Sequence, residues 1–345
     1  MTWPVRVAVD ALGGDRGPEE IVAGALEARS EMIEPVLFGH AGLETHGLEL
    51  VVTTQEIAMD EKPADAVRSK PDSSLVAACR SVHEGHAQAA VSAGNTGAML
   101  AAGLVYIRRL PGVLRPAIGV IVPTPKGPSV LIDAGANADC RAEHLLQFAV
   151  MGSVFAQEIL EIPRPTVGLL SIGEEPEKGN QLTLEAHELL ATTDLVDFRG
   201  NVESRWLLGH AADVVVCDGF TGNVVLKLLE GTIRTTLDWL RSEITATSRG
   251  KAGGLLIKPA ARRLREHLDP DTYGGAYLLG LRGLAVIAHG NSSHTAIGNA
   301  IRLAARGIDH GVVTRLGERM AEEAREMREE RVSIRALSES NPRER

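Results

Sequence analysis

The stretch Asp213–Glu230, DVVVCDGFTGNVVLKLLE, decides how this chain is read. Val214, Val215, Val216 and Cys217 form a short apolar run rich in β-branched residues, the pattern of a strand buried on both faces of a parallel sheet. The period then changes. Asp218, Gly219, Phe220, Thr221, Gly222 and Asn223 predict a tight turn, and Val224, Val225, Leu228 and Leu229 repeat at helical spacing in a helix reaching about Thr245. Strand, glycine turn and helix in this order aim free backbone N–H groups and the positive end of a helix dipole at an anion.

Working outward, the same grammar recurs. Val5 to Val9 reads as a strand that runs into Asp10, Ala11, Leu12, Gly13 and Gly14, with Pro18 at a first helical position. Ala89 to Val91 leads into Ser92-Ala-Gly-Asn-Thr-Gly97 and an apolar helix from Ala98. Ala117 to Val122 and Ser129 to Asp133 predict a hairpin or two adjacent strands, followed by Asp133-Ala-Gly-Ala-Asn137 and a helix over Glu143 to Leu160. Thr166 to Ile172 opens into a polar loop ending at Lys178-Gly179-Asn180, and Ala285 to Ala288 opens into His289-Gly-Asn-Ser-Ser293. Alternating short strands and helices predict an α/β sandwich with ligands at the C-terminal ends of its strands. Ser248 to Gly254 has the composition of a linker. We divide the chain into one α/β body over 1–331, a protruding basic segment at 248–270 and a flexible tail at 332–345.

Composition narrows the function. A net charge of -9 argues against general nucleic-acid binding, which needs clustered positive charge. Cys79, Cys140 and Cys217 are few and scattered, fitting reduced thiols of a cytoplasmic protein and spelling no CxxC metal or redox signature. No secretory leader opens the sequence, and no run approaches the roughly 20 apolar residues of a transmembrane helix.

Four of the turns combine small residues, glycine and an asparagine: those holding Asn95, Asn137, Asn180 and Asn223. Glycine permits close approach of backbone to a ligand, and asparagine offers a donor and an acceptor without net charge. Singly, each is an ordinary turn; four at strand ends predict a shared polar pocket. There is no GxGxxG after a strand, no GxxxxGK[ST], no GxSxG and no HExxH, and His83 with His86 reads as a surface pair and not a metal site. With no protein nucleophile in view, the nucleophile is expected to be a bound substrate.

Across almost its whole length the chain resembles the phosphate acyltransferase family of bacterial phospholipid synthesis. The resemblance is carried in order by Asp10-Ala-Leu-Gly-Gly-Asp-Arg-Gly-Pro18, Asp60-Glu-Lys-Pro63, Ser92-Ala-Gly-Asn-Thr-Gly97, Asp133-Ala-Gly-Ala-Asn137, Ser171-Ile-Gly-Glu-Glu175, Lys178-Gly-Asn180, Gly200-Asn-Val-Glu203, Cys217-Asp-Gly-Phe-Thr-Gly-Asn223 and Tyr273-Gly-Gly-Ala276. One departure is Leu12, where the family usually has methionine, a swap that conserves volume.

The resemblance implies a three-layer α/β/α fold like that of isocitrate and isopropylmalate dehydrogenases, a homodimer, no redox cofactor, and transfer of a fatty acyl group from acyl carrier protein to inorganic phosphate. By the same analogy Lys178 and Asn223 are the candidate catalytic residues. Lys178 would neutralise phosphate or the tetrahedral oxyanion, or else balance Glu174, Glu175 and Glu177; Asn223 would donate a hydrogen bond, a role compatible with capping its helix. Candidate substrate contacts are Gly13, Gly14, Thr96, Gly179, Thr221 and Gly222, together with Asn95, Asn137 and Asn180. Asp10 and Asp133 are expected to orient other groups, and His289 to act either as a general acid or structurally. A related reading is an acyl-CoA phosphotransacetylase; a membrane-associated scaffold and a decarboxylating dehydrogenase are more distant ones.

The protruding segment adds a surface expectation. Ile257, Ala260, Ala261, Leu264 and Leu268 fall on one helical face and Lys258, Arg262, Arg263 and Arg265 on the other, with Leu255, Leu256 and Ile257 as an apolar tip. This suits peripheral contact with an anionic membrane, with packing on a dimer partner and docking of the acidic carrier protein as the other readings.

Overall fold

The apolar runs become strands of one sheet. In chain order these are β1 (Val5–Asp10), β2 (Ile33–Gly39), β3 (Glu49–Val52), β4 (Ala89–Ser92), β5 (Ala117–Val122), β6 (Ser129–Ile132), β7 (Thr166–Ser171), β8 (Asp197–Glu203), β9 (Val214–Val216), β10 (Ala276–Leu279) and β11 (Leu284–Ile287). The helices are α1 (Pro18–Ala28), α2 (Pro63–Ser69), α3 (Ser74–His83), α4 (Thr96–Ala102), α5 (Ala142–Ile159), α6 (Gln181–Thr192), α7 (Gly219–Thr245), α8 (Ser248–Leu268) and α9 (His294–Asp309). This computed structural model describes residues 4–268, 270–323 and 325, so the tail expected at 332–345 lies outside the described residues.

The 11 strands are ordered β3-β2-β1-β4-β11-β10-β5-β6-β9-β7-β8. β1, β2, β3, β4 and β11 run parallel, as do β6, β7, β8 and β9. Between these blocks the antiparallel pairs β11–β10, β10–β5 and β5–β6 reverse the sense. The expected hairpin is the β5–β6 pair.

Successive strand residues alternate between two cores, as a pleated strand buried on both faces requires. Val7, Val91, Ile132, Val214, Val216 and Val286 pack in the core that contains residues of α1, α5 and α9. Ala90, Leu131, Val215 and Ala285 pack in the core that contains residues of α3 and α4. Helices therefore cover both faces, giving the three-layer α/β/α architecture.

Two local readings are corrected. The predicted turn over Asp218–Asn223 is the first turn of α7 itself: Asp218 is the N-cap, accepting from Thr221 N at 2.9 Å, and Asn223 lies inside the helix. Asp218 satisfies an orphan N–H that a turn would have left to Asn223. Ser248–Gly254, read as a linker, is the start of α8. Its glycines serve helix packing: a Cβ on Gly250 would fall 2.1 Å from Ile244 O, and one on Gly254 2.9 Å from the Ile244 side chain.

The start of β9 is anchored by Asp213, whose Oδ2 accepts from Thr166 N at 2.8 Å and Thr166 Oγ1 at 2.7 Å, while His210 Nε2 lies 3.0 Å from Oδ1. Burial pushes this carboxyl up, but the Thr166 and His210 donors outweigh it and hold it below the ordinary value of 3.8. A depressed carboxyl stabilises the fold above that ordinary value and loses its contribution as pH falls through the lower folded value. Asp213→Asn is expected to cost about 1–3 kcal/mol at pH 7, and urea unfolding should show the gap from wild type narrowing at pH 3.

Candidate functional site

The segment Asp213–Glu230 docks on the loop after β6. Asp133 is fully buried, and its carboxylate is satisfied by that loop and by β5: Oδ1 accepts from Ile118 N of β5 at 3.0 Å, Gly135 N at 3.1 Å and Ala136 N at 2.9 Å, and Oδ2 from Asn137 N at 2.7 Å and Asn137 Nδ2 at 2.8 Å. Burial raises this carboxyl above its usual range, against N–H donors that favour the anion. The folded loop then receives α7. Gly219 N donates to Asn137 O at 2.7 Å, and a Cβ on Gly222 would fall 1.9 Å from Asp133 O. Gly219 and Gly222, three residues apart, share the helix face that meets the loop.

A second buried carboxylate does the same work in the other block. Asp10 accepts from Ser92 Oγ at 2.6 Å and Leu12 N at 3.3 Å, and Ser92 Oγ accepts from Gly94 N at 3.0 Å. Burial raises the Asp10 carboxyl too. A Cβ on Gly13 would fall 2.5 Å from Asp10 Oδ2 and 2.7 Å from Gly94 N. Asp10 and Asp133 thus hold backbone and present no carboxylate oxygen to a ligand. The glycines expected to approach a ligand, Gly13, Gly219 and Gly222, are instead required where one loop packs on another. Gly14 and Gly179 have φ of 110° and 128°, which L side chains rarely adopt.

The four asparagines separate by what their amides touch. Asn95 caps α4, accepting from Ala98 N at 3.0 Å and donating to Met59 O at 3.0 Å and Glu61 O at 3.1 Å. Asn137 Nδ2 donates to Pro116 O at 2.8 Å as well as to Asp133. Asn180 caps α6, its Oδ1 accepting from Thr183 N and Thr183 Oγ1, each at 2.9 Å. Asn223 is exposed beside Gly135, and its side-chain amide makes no hydrogen bond among the described residues.

Lys178 is likewise exposed, and among the described residues its ammonium forms no hydrogen bond or ion pair, with Glu174, Glu175 and Glu177 included. Its loop is held from below: Ser171 Oγ donates to Lys178 O at 2.9 Å and Asn201 Nδ2 to Glu175 O at 2.8 Å. Asn201 was not singled out as a site residue, although its motif was visible; nothing in a strand pattern says that one amide will reach across to a neighbouring loop. No hydrogen bond joins Lys178 to Asn223 or to the Asp133 loop. Thr221 bonds Asp218 through Oγ1 at 2.7 Å, and Thr96 is exposed at the first position of α4.

His289 reaches across the two blocks. Its Nε2 lies 3.3 Å from Oε1 of Glu230 on α7, a residue that periodicity alone placed on an unremarked helix turn. Cavities of about 440 Å³ beside β3 and α3, and about 510 Å³ beside α6 and β8, are lined by none of Lys178, Asn223 or His289.

Asp133→Asn places an NH₂ group against N–H donors. It is expected to destabilise the fold by about 3 kcal/mol, read as a lower urea midpoint at pH 7, and to loosen the α7 root.

Comparison with known proteins identifies the family and the fold. Residues 5–315 match the family model described as fatty acid synthesis protein. The chain is 46% identical to the phosphate acyltransferase of Moorella thermoacetica over 324 residues, covering 91% of this chain and 95% of the relative. It is 47% identical to that of Desulfitobacterium hafniense over 320 residues, covering 90% and 96%. Among solved structures it is similar to a branched-chain phosphotransacylase from Enterococcus faecalis, with a TM-score of 0.58 at 16% identity over 89% of this chain and 99% of that one. The phosphotransacetylase of Streptococcus pyogenes gives a TM-score of 0.57 at 18% identity over 89% and 94%. The structural likenesses establish a shared fold; on the sequence matches, the chain belongs to the phosphate acyltransferase family.

Proposed function

We propose that the chain transfers a long-chain fatty acyl group from acyl carrier protein to inorganic phosphate, forming acyl-phosphate for phospholipid synthesis. The observation that carries this reading is the pair of unengaged polar ends, the Asn223 amide in the first turns of α7 and the Lys178 ammonium in the loop before α6, where the asparagines of the other turns are spent on the fold. Orthophosphate brings its own nucleophilic oxygen, so the protein needs to hold it in line with the thioester carbonyl and stabilise the charge that develops. An oxygen of phosphate attacks the carbonyl carbon, the carbonyl oxygen becomes an oxyanion, and collapse expels the carrier's thiolate. In this scheme Asn223 donates to the oxyanion or phosphate, and Lys178 supplies positive charge. Neither role needs a metal or a redox cofactor.

The exposed apolar surface supports two further assignments. Phe220, Val224 and Leu228 form a stripe at i, i+4 and i+8 on α7, with Phe220 and Leu228 66% and 68% exposed. A stripe of this kind calls for cover, and a second copy of the chain is the occupant we assign, forming a homodimer. On α8 no described residue is buried; Leu255 is 72% and Leu256 85% exposed, beside Lys258, Arg262, Arg263 and Arg265. We assign this helix to the surface of an anionic membrane, a destination suited to an apolar product. Among the described residues no helix is long and apolar enough to cross a membrane; the contact we assign is peripheral, made by a cytoplasmic enzyme.

Purified protein with labelled phosphate and palmitoyl carrier protein should yield acyl-phosphate, and faster than with acetyl-CoA. The opposite donor preference would favour the phosphotransacetylase reading, which the structural neighbours make the natural competitor. Lys178→Ala and Asn223→Ala are each expected to lower kcat by about 10²–10³ without changing the fold; wild-type rates would remove them from the reacting centre. Leu256→Glu should abolish flotation with anionic liposomes, and equal flotation of the variant and wild type would sink the membrane assignment.

A further inference from the structure

α7 parts from the body at a definite place. In its first three turns Leu226 is buried and Val225 and Leu229 pack partly against the sheet, whereas none of the residues 231–245 is buried. At that boundary stands Glu230, with its side chain only 15% exposed. Its Oε1 lies 3.3 Å from His289 Nε2, and its Oε2 accepts from Lys227 Nζ at 2.9 Å.

His289 belongs to the opposite block of the sheet. It follows β11, and the next residue, Gly290, accepts from Asp15 N at 2.6 Å, in the loop that carries Gly13 and Gly14. Arg16 Nε donates to Asn291 Oδ1 at 2.9 Å in the same contact. α7 therefore starts at the end of β9, advances about 16 Å at about 1.5 Å per residue, and is met by His289 at the end of β11. Asn223 lies between those two fixed points.

Resting on the placement of Asn223 at the reacting centre, we infer that His289 is a positioning residue: through Glu230 it holds the first three turns of α7, and with them Asn223, against the loops of both blocks. Glu230 has the reciprocal part. Its mostly buried carboxylate needs a partner, and the imidazole at 3.3 Å provides one from a different element. Burial pushes the Glu230 carboxyl up, while the close His289 imidazole and the Lys227 ammonium outweigh that and hold it below its usual range; Oε1 itself accepts no well-aligned hydrogen bond among the described residues, so its contact with His289 is one of charge and proximity. Proton donation to the leaving group is not required of it, because a thiolate needs little help to leave.

The charged groups around His289 are Glu230 and Lys227 on α7 and, in the loop after β1, Arg16 and Asp15, whose Oδ2 lies 2.8 Å from where a Cβ on Gly290 would stand.

The test is hydrogen exchange of the full-length protein over residues 219–230 at pH 7, corrected for intrinsic rates, alongside turnover with palmitoyl carrier protein. His289→Ala and Glu230→Ala should each speed exchange there about tenfold and lower kcat by a similar factor, with the double variant no worse than either. His289→Gln, which keeps an N–H, should recover much of the protection. Wild-type exchange in His289→Ala would overturn the inference. So would turnover depressed equally in His289→Ala and His289→Gln but normal in Glu230→Ala, the pattern of a proton donor. Exchange is read without substrate, so a wild-type enzyme that makes no acyl-phosphate would sink the proposed function and leave this contact to be judged on exchange alone.

Discussion

The arrangement of the site depends on one buried carboxylate. Asp133 has no solvent to satisfy it, so its two oxygens recruit N–H groups from Ile118, Gly135, Ala136 and Asn137 and force residues 133–137 into a single compact turn. That turn is the seat on which α7 begins. Because the seat is backbone, the helix can reach it only through residues without a Cβ, and Gly219 and Gly222 are those residues. Asp218 completes the junction by capping the helix that the glycines bring into contact. Asn223 follows directly, and its position is set by these packing terms, not by any bond of its own.

The two carboxylates explain how opposed strand blocks make one site. Asp10 and Asp133 each end a strand, each hold a glycine-bearing turn and each leave the neighbouring helix start facing outward. The sense of the sheet reverses between them through β10, β5 and β6, while α7 runs from the end of β9 toward the end of β11 and joins the halves through Glu230 and His289. Catalytic groups placed on such a bridge are sensitive to how firmly both ends are held. Asn223 and the exposed stripe proposed as the dimer face lie on α7, and the unburied α8 proposed as the membrane face follows it directly in the chain.

Much of this was legible from residue order. The strands were visible as short apolar runs, and most of their ends fell where glycine, asparagine and aspartate cluster. What could not be read was the partner of each turn residue. Glycine marks a close approach without naming what approaches, and at Gly13, Gly219 and Gly222 the neighbour is another loop. Asparagine marks an available amide without saying who takes it; Asn95, Asn137 and Asn180 are taken by the fold. The run Ser248–Gly254 misled for the same reason, since glycines that would loosen an isolated segment allow α8 to pack against Ile244.

The sequence by itself determined the alternation of strand and helix, the doubly buried character of the sheet and the family, because periodicity and ordered motifs are local properties of the chain. Tertiary structure alone decided that Asp218 and not the later asparagine caps α7, that Asn223 and Lys178 keep unengaged polar ends, and that Glu230 meets His289. The Glu230–His289 contact joins residues far apart in the chain, where burial removes water as a competing partner and the nearest protein group takes its place.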